Sequence, residues 1–332
     1  MTGIIDMPQN LVSIVVCAFN NWPDLEVAVS SALQQSHRQI EVIVVDNSST
    51  DATSGELQAK FGARIRHIRQ PNKDCAGAYN TGFAAATGEF IQFMDGDDVL
   101  APNKVAKQLE IFRSDPQLDI VYGDIRNFEM GGGTPMWADV ETRPEPDMLE
   151  ALLLRDKYGA GINALGALFR RRAVEKTGPW DEDLYCEDTE YWLRAAWRGC
   201  RFGHCPGSPM GFKRIRPGQK TADLAAMDLG LEAVLEKALV YIVREPYRRL
   251  IAQKLAQHRF YSAVSGSTPG MRRSLRKLSL ARNTSAETVS VSAYAFGLAS
   301  ILVPGGRIVV RSPWLRPLRR KLAWLASYDI SR

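Results

Sequence analysis

The sequence predicts an α/β fold: a mostly parallel sheet with helices on both faces, followed by a helical C-terminal region. Two observations carry this expectation. Short apolar, β-branched runs alternate with segments whose apolar residues recur at helical spacing, which is the pattern of βαβ units. Polar residues then stand just past three of those runs, where open parallel sheets bind ligands.

The elements follow in order. Val12–Ala18 (VSIVVCA) reads as a strand buried on both faces. Pro23 can open a helix on which Leu25, Val29, Ala32 and Leu33 repeat at helical spacing. Ile40–Val45 is a second buried strand, ending in the polar run Asp46–Asp51, a loop and a plausible helix start. Ile65–Arg69 reads as a third strand, Ala76–Ala86 as a small-residue helix closed by Gly88, and Phe90–Met94 as a fourth strand. A helix over Pro102–Arg113 and a strand near Ile120–Tyr122 come next. Glu129–Pro146, rich in Gly and Pro, reads as a surface loop. Gly166–Phe169 and a Glu187–Arg198 helix follow. Beyond residue 222 the pattern is helical and basic, with a break at Ser265–Gly270. This gives two regions, 10–221 and 222–332.

The 332 residues are 45% hydrophobic and 24% charged, ordinary for a globular chain. The net charge of +5 is unevenly placed. Residues 1–120 hold 9 Lys+Arg against 15 Asp+Glu, whereas residues from 222 onward hold 18 against 7. Cys17, Cys75, Cys186, Cys200 and Cys205 have no paired spacing and fit a reducing compartment. His37, His67, His204 and His258 show no ligand spacing either. The first residues lack a secretory signal pattern. Thr288–Gly306 is nearly uncharged but interrupted by serines and Gly297, so it reads as a buried or interfacial helix, not a membrane span. These features predict a cytoplasmic protein.

The chemistry concentrates at Asp95-Gly96-Asp97-Asp98. Carboxylates at a strand end suit Mg2+ or Mn2+, which favour oxygen ligands and can bridge phosphates. Read alone, Asp97 and Asp98 could equally cap the following helix.

The segments SIVVCAFNN, IEVIVVDNSSTDAT, QPNKDCAGAYNTGFAAATGEFIQFMDGDD and GPWDEDLYCEDTEYWLRAA resemble the successive motifs of glycosyltransferase family 2. The resemblance covers roughly residues 10–220 and implies a GT-A, Rossmann-like fold. It also implies inverting transfer of a hexosyl type from a nucleotide-sugar, a UDP-sugar in the first instance, with a divalent metal (Mn2+ or Mg2+). By position, Phe19, Asn20 and Asp46 would line the base and ribose pocket, and Asn72 and Asn80 would support it. Asp95 and Asp97 form the family's D-x-D, with Asp97 as the chief metal ligand. Glu187-Asp188 matches the family's ED pair, making Asp188 the general base. Its structural alternative is an acidic first helical turn. Arg214 and Arg216 would neutralise the diphosphate, since guanidinium has no lone pair for a metal. Asp74 and Tyr79 depart from the family by standing where many relatives carry Gly and Arg, and Glu190 replaces a frequent aspartate.

The basic residues Arg244, Arg248, Arg249, Lys254, Arg272, Arg273, Arg276 and Lys277, and the Trp314–Leu325 segment, suit either a peripheral contact with the inner face of an anionic membrane or packing against protein. A glycan or glycolipid acceptor in bacterial surface-polysaccharide assembly is the expectation, without nucleic acid, because the acidic half opposes it. The alternatives are a sugar-nucleotidyltransferase, which should show a Gly-rich basic loop where AFNNWPDL stands, and a non-catalytic sugar- or partner-binding relative.

Overall fold

The computed structural model describes residues 10–71, 73–129, 147–154, 162–216, 218–265, 270–285, 289 and 291–302. Asn72, the greater part of the Glu129–Pro146 segment and the Trp314–Leu325 segment lie outside the described residues. The chain divides into two units. One comprises residues 1–148, 160–183 and 194–217; the other comprises 149–159, 184–193 and 218–332.

The first unit carries a seven-stranded sheet in the order β3-β2-β1-β4-β8-β6-β9. The strands are β1 (Val12–Ala18), β2 (Ile40–Asp46), β3 (Arg66–Arg69), β4 (Phe90–Asp95), β6 (Ile120–Gly123), β8 (Ala167–Arg170) and β9 (Phe202–Cys205). Every neighbouring pair is parallel except those of β8, which runs antiparallel to β4 and β6. The helices α1 (Asp24–Leu33), α2 (Thr53–Phe61), α3 (Asp74–Ala85), α4 (Lys104–Ser114) and α6 (Arg171–Thr177) connect or flank these strands.

All seven residues of β1 are buried, as its unbroken apolar run requires of a central strand covered on both faces. Residues Val12, Ile14, Val16, Val42, Val44, Leu57, Phe90 and Met94 join one core with Leu25, Val29 and Ala32 of α1. Each fully buried aliphatic side chain of this kind contributes roughly 1.5–3 kcal/mol. On α3, Gly82 lets the helix approach β1, because a Cβ there would lie 2.2 Å from Val15 Cγ1. One polar cluster interrupts the core: Lys104 of α4, 1% exposed, donates to Gln92 Oε1, to Gln108 Oε1 at 2.6 Å and to the Ala167 carbonyl at 3.1 Å.

A small second sheet, order β5-β10-β7, joins β5 (Val99–Leu100), β7 (Ile125–Glu129) and β10 (Gly211–Ile215). The sequence pattern does not announce it, because β5 is two residues long and β10 (GFKRI) sets Lys213 and Arg214 side by side, which breaks the alternation of a half-buried strand.

Among the described residues, the second unit holds four helices of its own: α8 (Leu224–Tyr241), α9 (Tyr247–Ser265), α10 (Met271–Thr284) and α11 (Val291–Leu302). α5 (Met148–Leu153) and α7 (Glu187–Trp197) each include residues of both units. The break expected at 265–270 separates α9 from α10. Ala256, Phe260, Leu278, Ala281, Ala293 and Ile301 form the apolar centre of this unit. The uncharged segment thus contributes α11, which buries Ala293 and Ile301 in this centre, and no described helix is long and apolar enough to cross a membrane. Part of the basic character is neutralised internally. Lys277 lies 2.7 Å from Glu232, Arg259 lies 2.7 Å from the same carboxylate, and His258 lies 3.0 Å from Asp228. Arg272, Arg273 and Arg276 stay exposed.

Candidate active site

Strand register explains why residues distant in sequence meet at one edge. β1 pairs in parallel with β2 and β4, placing Ala18 opposite Asp46 and Cys17 opposite Asp95. The carboxyl ends of three strands therefore present Phe19, Asp46 and Asp95 at one sheet edge, as in other open parallel sheets.

Asp46 is fully buried. Its Oδ1 accepts the Ser49 amide at 2.8 Å, while Oδ2 accepts no hydrogen bond among the described residues and lies 3.9 Å from His67 Nε2. A buried carboxylate oxygen without a donor is costly unless a ligand supplies one. Phe19 is 45% exposed, so its ring is available for stacking. Asn20 has a left-handed backbone (φ 46°) and knits the two strand ends together: its Oδ1 accepts the Thr50 amide at 2.8 Å and its own amide donates to Ser49 Oγ at 3.0 Å. Ser48 and Asp74 also take positive φ, 61° and 58°. Positive φ at Asp74 accounts for glycine being suited to that position, and aspartate is among the residues that tolerate it best.

After β4 the chain turns through Asp95–Asp98, with the Asp98 amide bonded to the Asp95 carbonyl at 3.2 Å. Gly96 is required there: a Cβ would sit 2.6 Å from the Cys17 carbonyl oxygen and 2.4 Å from Asn21 Nδ2. Asp95, Asp97 and Asp98 each offer a carboxylate oxygen, all within 4.8 Å of one another. Burial, then the neighbouring Asp95 charge, pushes the Asp97 carboxyl up, and the same causes push buried Asp98 well above the carboxylate range. Three clustered carboxylates, two of them held back from ionising, are the donor set a hard divalent cation satisfies.

Each carboxylate also has protein partners. Tyr79 donates to Asp95 Oδ1 at 2.7 Å, and Cys75 Sγ lies 3.5 Å from the same oxygen and 3.5 Å from Cys17 Sγ. Asp98 Oδ1 accepts the Arg214 amide at 3.0 Å. Arg214, 3% exposed, donates Nε to the Asp97 carbonyl at 3.0 Å and lies over the Phe128 ring at 4.7 Å. Arg216 reaches Asp97 Oδ2 at 3.0 Å. The end of β10, with Arg214, and the residue just after it, Arg216, therefore bring both expected arginines to the acidic turn. Asn80 does not aim its amide into open space: Nδ2 donates to the Trp180 carbonyl at 2.9 Å and Oδ1 accepts the Trp180 amide at 2.8 Å, tying α3 to the 180 segment.

The ED pair belongs to the second unit. Glu187 lies 3.0 Å from Lys220 Nζ, and burial nevertheless raises its carboxyl to about 7. Asp188 is exposed, and its Oδ1 accepts the Thr189 amide at 2.6 Å at the start of α7. Sequence reasoning placed Asp98 in the acidic cluster but missed Asp24, Cys75 and Lys220 as partners of the site residues. Asp24 gave no signal beyond following Pro23 at a helix start, and Tyr79 stood out only as a departure from the family.

Comparison with known proteins agrees with this architecture. Residues 13–178 match the family described as Glycosyl transferase family 2. An uncharacterized glycosyltransferase of Nostoc sp. is 32% identical over 177 residues, 51% of this chain and 54% of the relative, so the chain spans about half of that protein's length. Among solved structures, S. aureus TarS 1–349 in complex with UDP-GlcNAc superposes with a TM-score of 0.65 at 15% identity, covering 87% of this chain and 90% of that one. The mannosyltransferase PcManGT from Pyrobaculum calidifontis, in complex with GDP-Man and Mn2+, gives 0.57 at 19% identity, covering 95% and 84%. At those identities the likeness is one of fold, and the fold is of the GT-A type. The chain belongs to glycosyltransferase family 2.

Proposed function

We propose that this protein is a glycosyltransferase that moves a sugar from a nucleoside-diphosphate sugar to an acceptor hydroxyl with inversion, using a divalent metal. The observation that carries the reading is the Asp95, Asp97 and Asp98 cluster at the carboxyl end of β4, within 4.8 Å of one another, in a family 2 chain. Asp97 and Asp95 would hold Mn2+ or Mg2+. When bound, such an ion supplies Lewis-acid neutralisation of the departing diphosphate.

The chain's own residues do the rest. The buried Asp46 Oδ2, lacking a donor, suits a nucleobase N–H, and the exposed Phe19 ring gives the base a stacking surface. Arg214 and Arg216 add positive charge beside the acidic turn, where a diphosphate needs it. Asp188 takes the proton of the attacking acceptor hydroxyl, and Glu187 with Lys220 stiffens the turn that carries it. UDP-sugars are the first donors to test, supported by the likeness to the UDP-GlcNAc complex of TarS. The acceptor is a glycan or glycolipid. The excess of basic residues from 222 onward supports an anionic surface as its setting, the inner face of a membrane included.

The test is a screen of UDP-, GDP- and dTDP-sugars against lipid-linked and free glycan acceptors, reading nucleoside diphosphate release with Mn2+ and with chelator. Release from one donor, dependent on acceptor and suppressed by chelator, is expected. Absence of release from every donor, with no thermal shift by any nucleotide, ends the reading. Flotation of the full chain with anionic vesicles at low salt tests the membrane contact.

A further inference from the structure

Asp24, the first residue of α1, faces both arginines of the acidic turn. Its Oδ1 lies 3.4 Å from Arg214 Nη2, and its Oδ2 lies 3.9 Å from Arg216 Nη1. The two arginines are held very differently. Arg214 is 3% exposed and fixed by the Asp97 carbonyl and the Phe128 ring. The Arg216 side chain is 42% exposed and spans two carboxylates, 3.0 Å from Asp97 Oδ2 and 3.9 Å from Asp24. Asp97 is one of the three carboxylates grouped tightly enough to hold a cation. A guanidinium and a divalent cation therefore compete for the same carboxylate. An arginine displaced from Asp97 with no other anchor would leave for solvent, at the cost of ordering it again for each donor.

We propose that Asp24 is a positioning residue that receives Arg216 when a cation takes Asp97, keeping the guanidinium at the rim of the acidic turn. Asp24 suits this role. It sits in the first turn of a ten-residue helix, where the dipole favours negative charge, and its partly exposed carboxylate is already within ion-pair distance of Arg216. Asp24 is not placed to be a ligand itself, since it stands outside the group of oxygens within 4.8 Å. The inference rests on the metal reading above and adds an exchange of one arginine between two aspartates.

The experiment is a double-mutant cycle on Mn2+ binding to the full chain. Free Mn2+ is followed by electron paramagnetic resonance without donor, and again with UDP. Asp24→Asn should weaken Mn2+ binding about fivefold, because Arg216 then rests wholly on Asp97. Arg216→Met should tighten it. Adding Asp24→Asn to Arg216→Met should change the affinity less than about twofold, because the arginine through which Asp24 acts is gone. If Asp24→Asn weakens binding equally in both backgrounds, Asp24 acts through space and the proposal is wrong while the metal reading stands. If wild type binds no Mn2+ under either condition, both are wrong. Should Asp24→Asn unfold the unit by circular dichroism, Asp24→Ser, which also removes the carboxylate, carries the same cycle.

Discussion

Tyr79 of α3 donates a 2.7 Å hydrogen bond to Asp95 Oδ1 at the carboxyl end of β4. The phenol is 4% exposed, and burial, reinforced by the Asp95 charge, raises its pKa well above the usual value, so it remains a neutral donor at any working pH. Its ring packs at 5.0 Å from Phe93 and 5.1 Å from Trp180, which fixes where the hydroxyl points. A charged partner would cancel part of the Asp95 charge; a phenol orients it and leaves the charge for a cation.

Tyr79→Phe keeps the ring packing and removes only that donor. A hydrogen bond to a charged group contributes about 1.5–3 kcal/mol, which corresponds to roughly a ten- to hundredfold effect if Asp95 acts in the transition state. The expected result is a loss in kcat of at least tenfold with near-normal circular dichroism. Unchanged kinetics would show that Cys75 and the backbone hold Asp95 without help.

Asp98 plays a different part from Asp97. It is 2% exposed, and its Oδ1 accepts the Arg214 amide at 3.0 Å, an acceptor role that asparagine preserves. Its carboxyl is pushed up by burial first, then by Asp95 and Asp97. An acid whose folded pKa exceeds its unfolded value binds its proton more tightly when folded. Its charge therefore costs stability at high pH, and the cost disappears as pH falls below the ordinary carboxylate value. Asp98→Asn should thus raise the melting temperature at pH 8, with an advantage that shrinks toward pH 4, while Asp97→Asn should abolish Mn2+ binding. Differential scanning calorimetry across that range checks the first claim; a melting temperature lowered at pH 8 would contradict it.

Most of the large sheet was legible because its central strands are continuous apolar runs, and burial on both faces leaves no other place for VSIVVCA or IEVIVV. Element ends shifted by only a residue or two: the expected 76–86 helix runs 74–85 and the expected 102–113 helix runs 104–114. The reversed strand β8 was not legible as reversed, because ALFR reads the same in either direction. The small sheet was missed for a related reason: β7 and β10 pair across more than eighty residues, and that pairing leaves no local pattern. At the site, strand-end position exposed Asp46 and Asp95, whereas Asp24, Lys220 and the Tyr79 hydrogen bond depend on side-chain direction and tertiary approach.

Glu187 carries a pH signature of its own. Its side chain is 14% exposed, and burial raises its carboxyl from 4.5 to about 7, with the Lys220 ammonium opposing the rise. Between those values the folded state holds the proton that the unfolded chain has released, so the group's contribution to stability falls as pH rises through that window. The loss is on the order of 3 kcal/mol. Glu187→Gln keeps an acceptor for Lys220 and removes the titration. The dependence of stability on pH between 5 and 7, measured by urea unfolding, should flatten in the variant. An unaltered slope would show that Glu187 is ionised throughout.

Asp188 can be separated from its neighbour by chemistry. Asparagine at 188 retains an oxygen for the Thr189 amide, now 2.6 Å from Oδ1, so the start of α7 should survive the change. The lost charge in a first helical turn costs only about 0.3–1 kcal/mol. A general base, by contrast, contributes about 10²–10⁴ in rate. Asp188→Asn should therefore lower kcat by that factor while the Kd for UDP, from calorimetry, stays within about twofold. A helix-start role alone predicts a small fall in melting temperature and full turnover. The ratio of kinetic to stability loss decides between the two, because no first-turn charge effect reaches a thousandfold in rate.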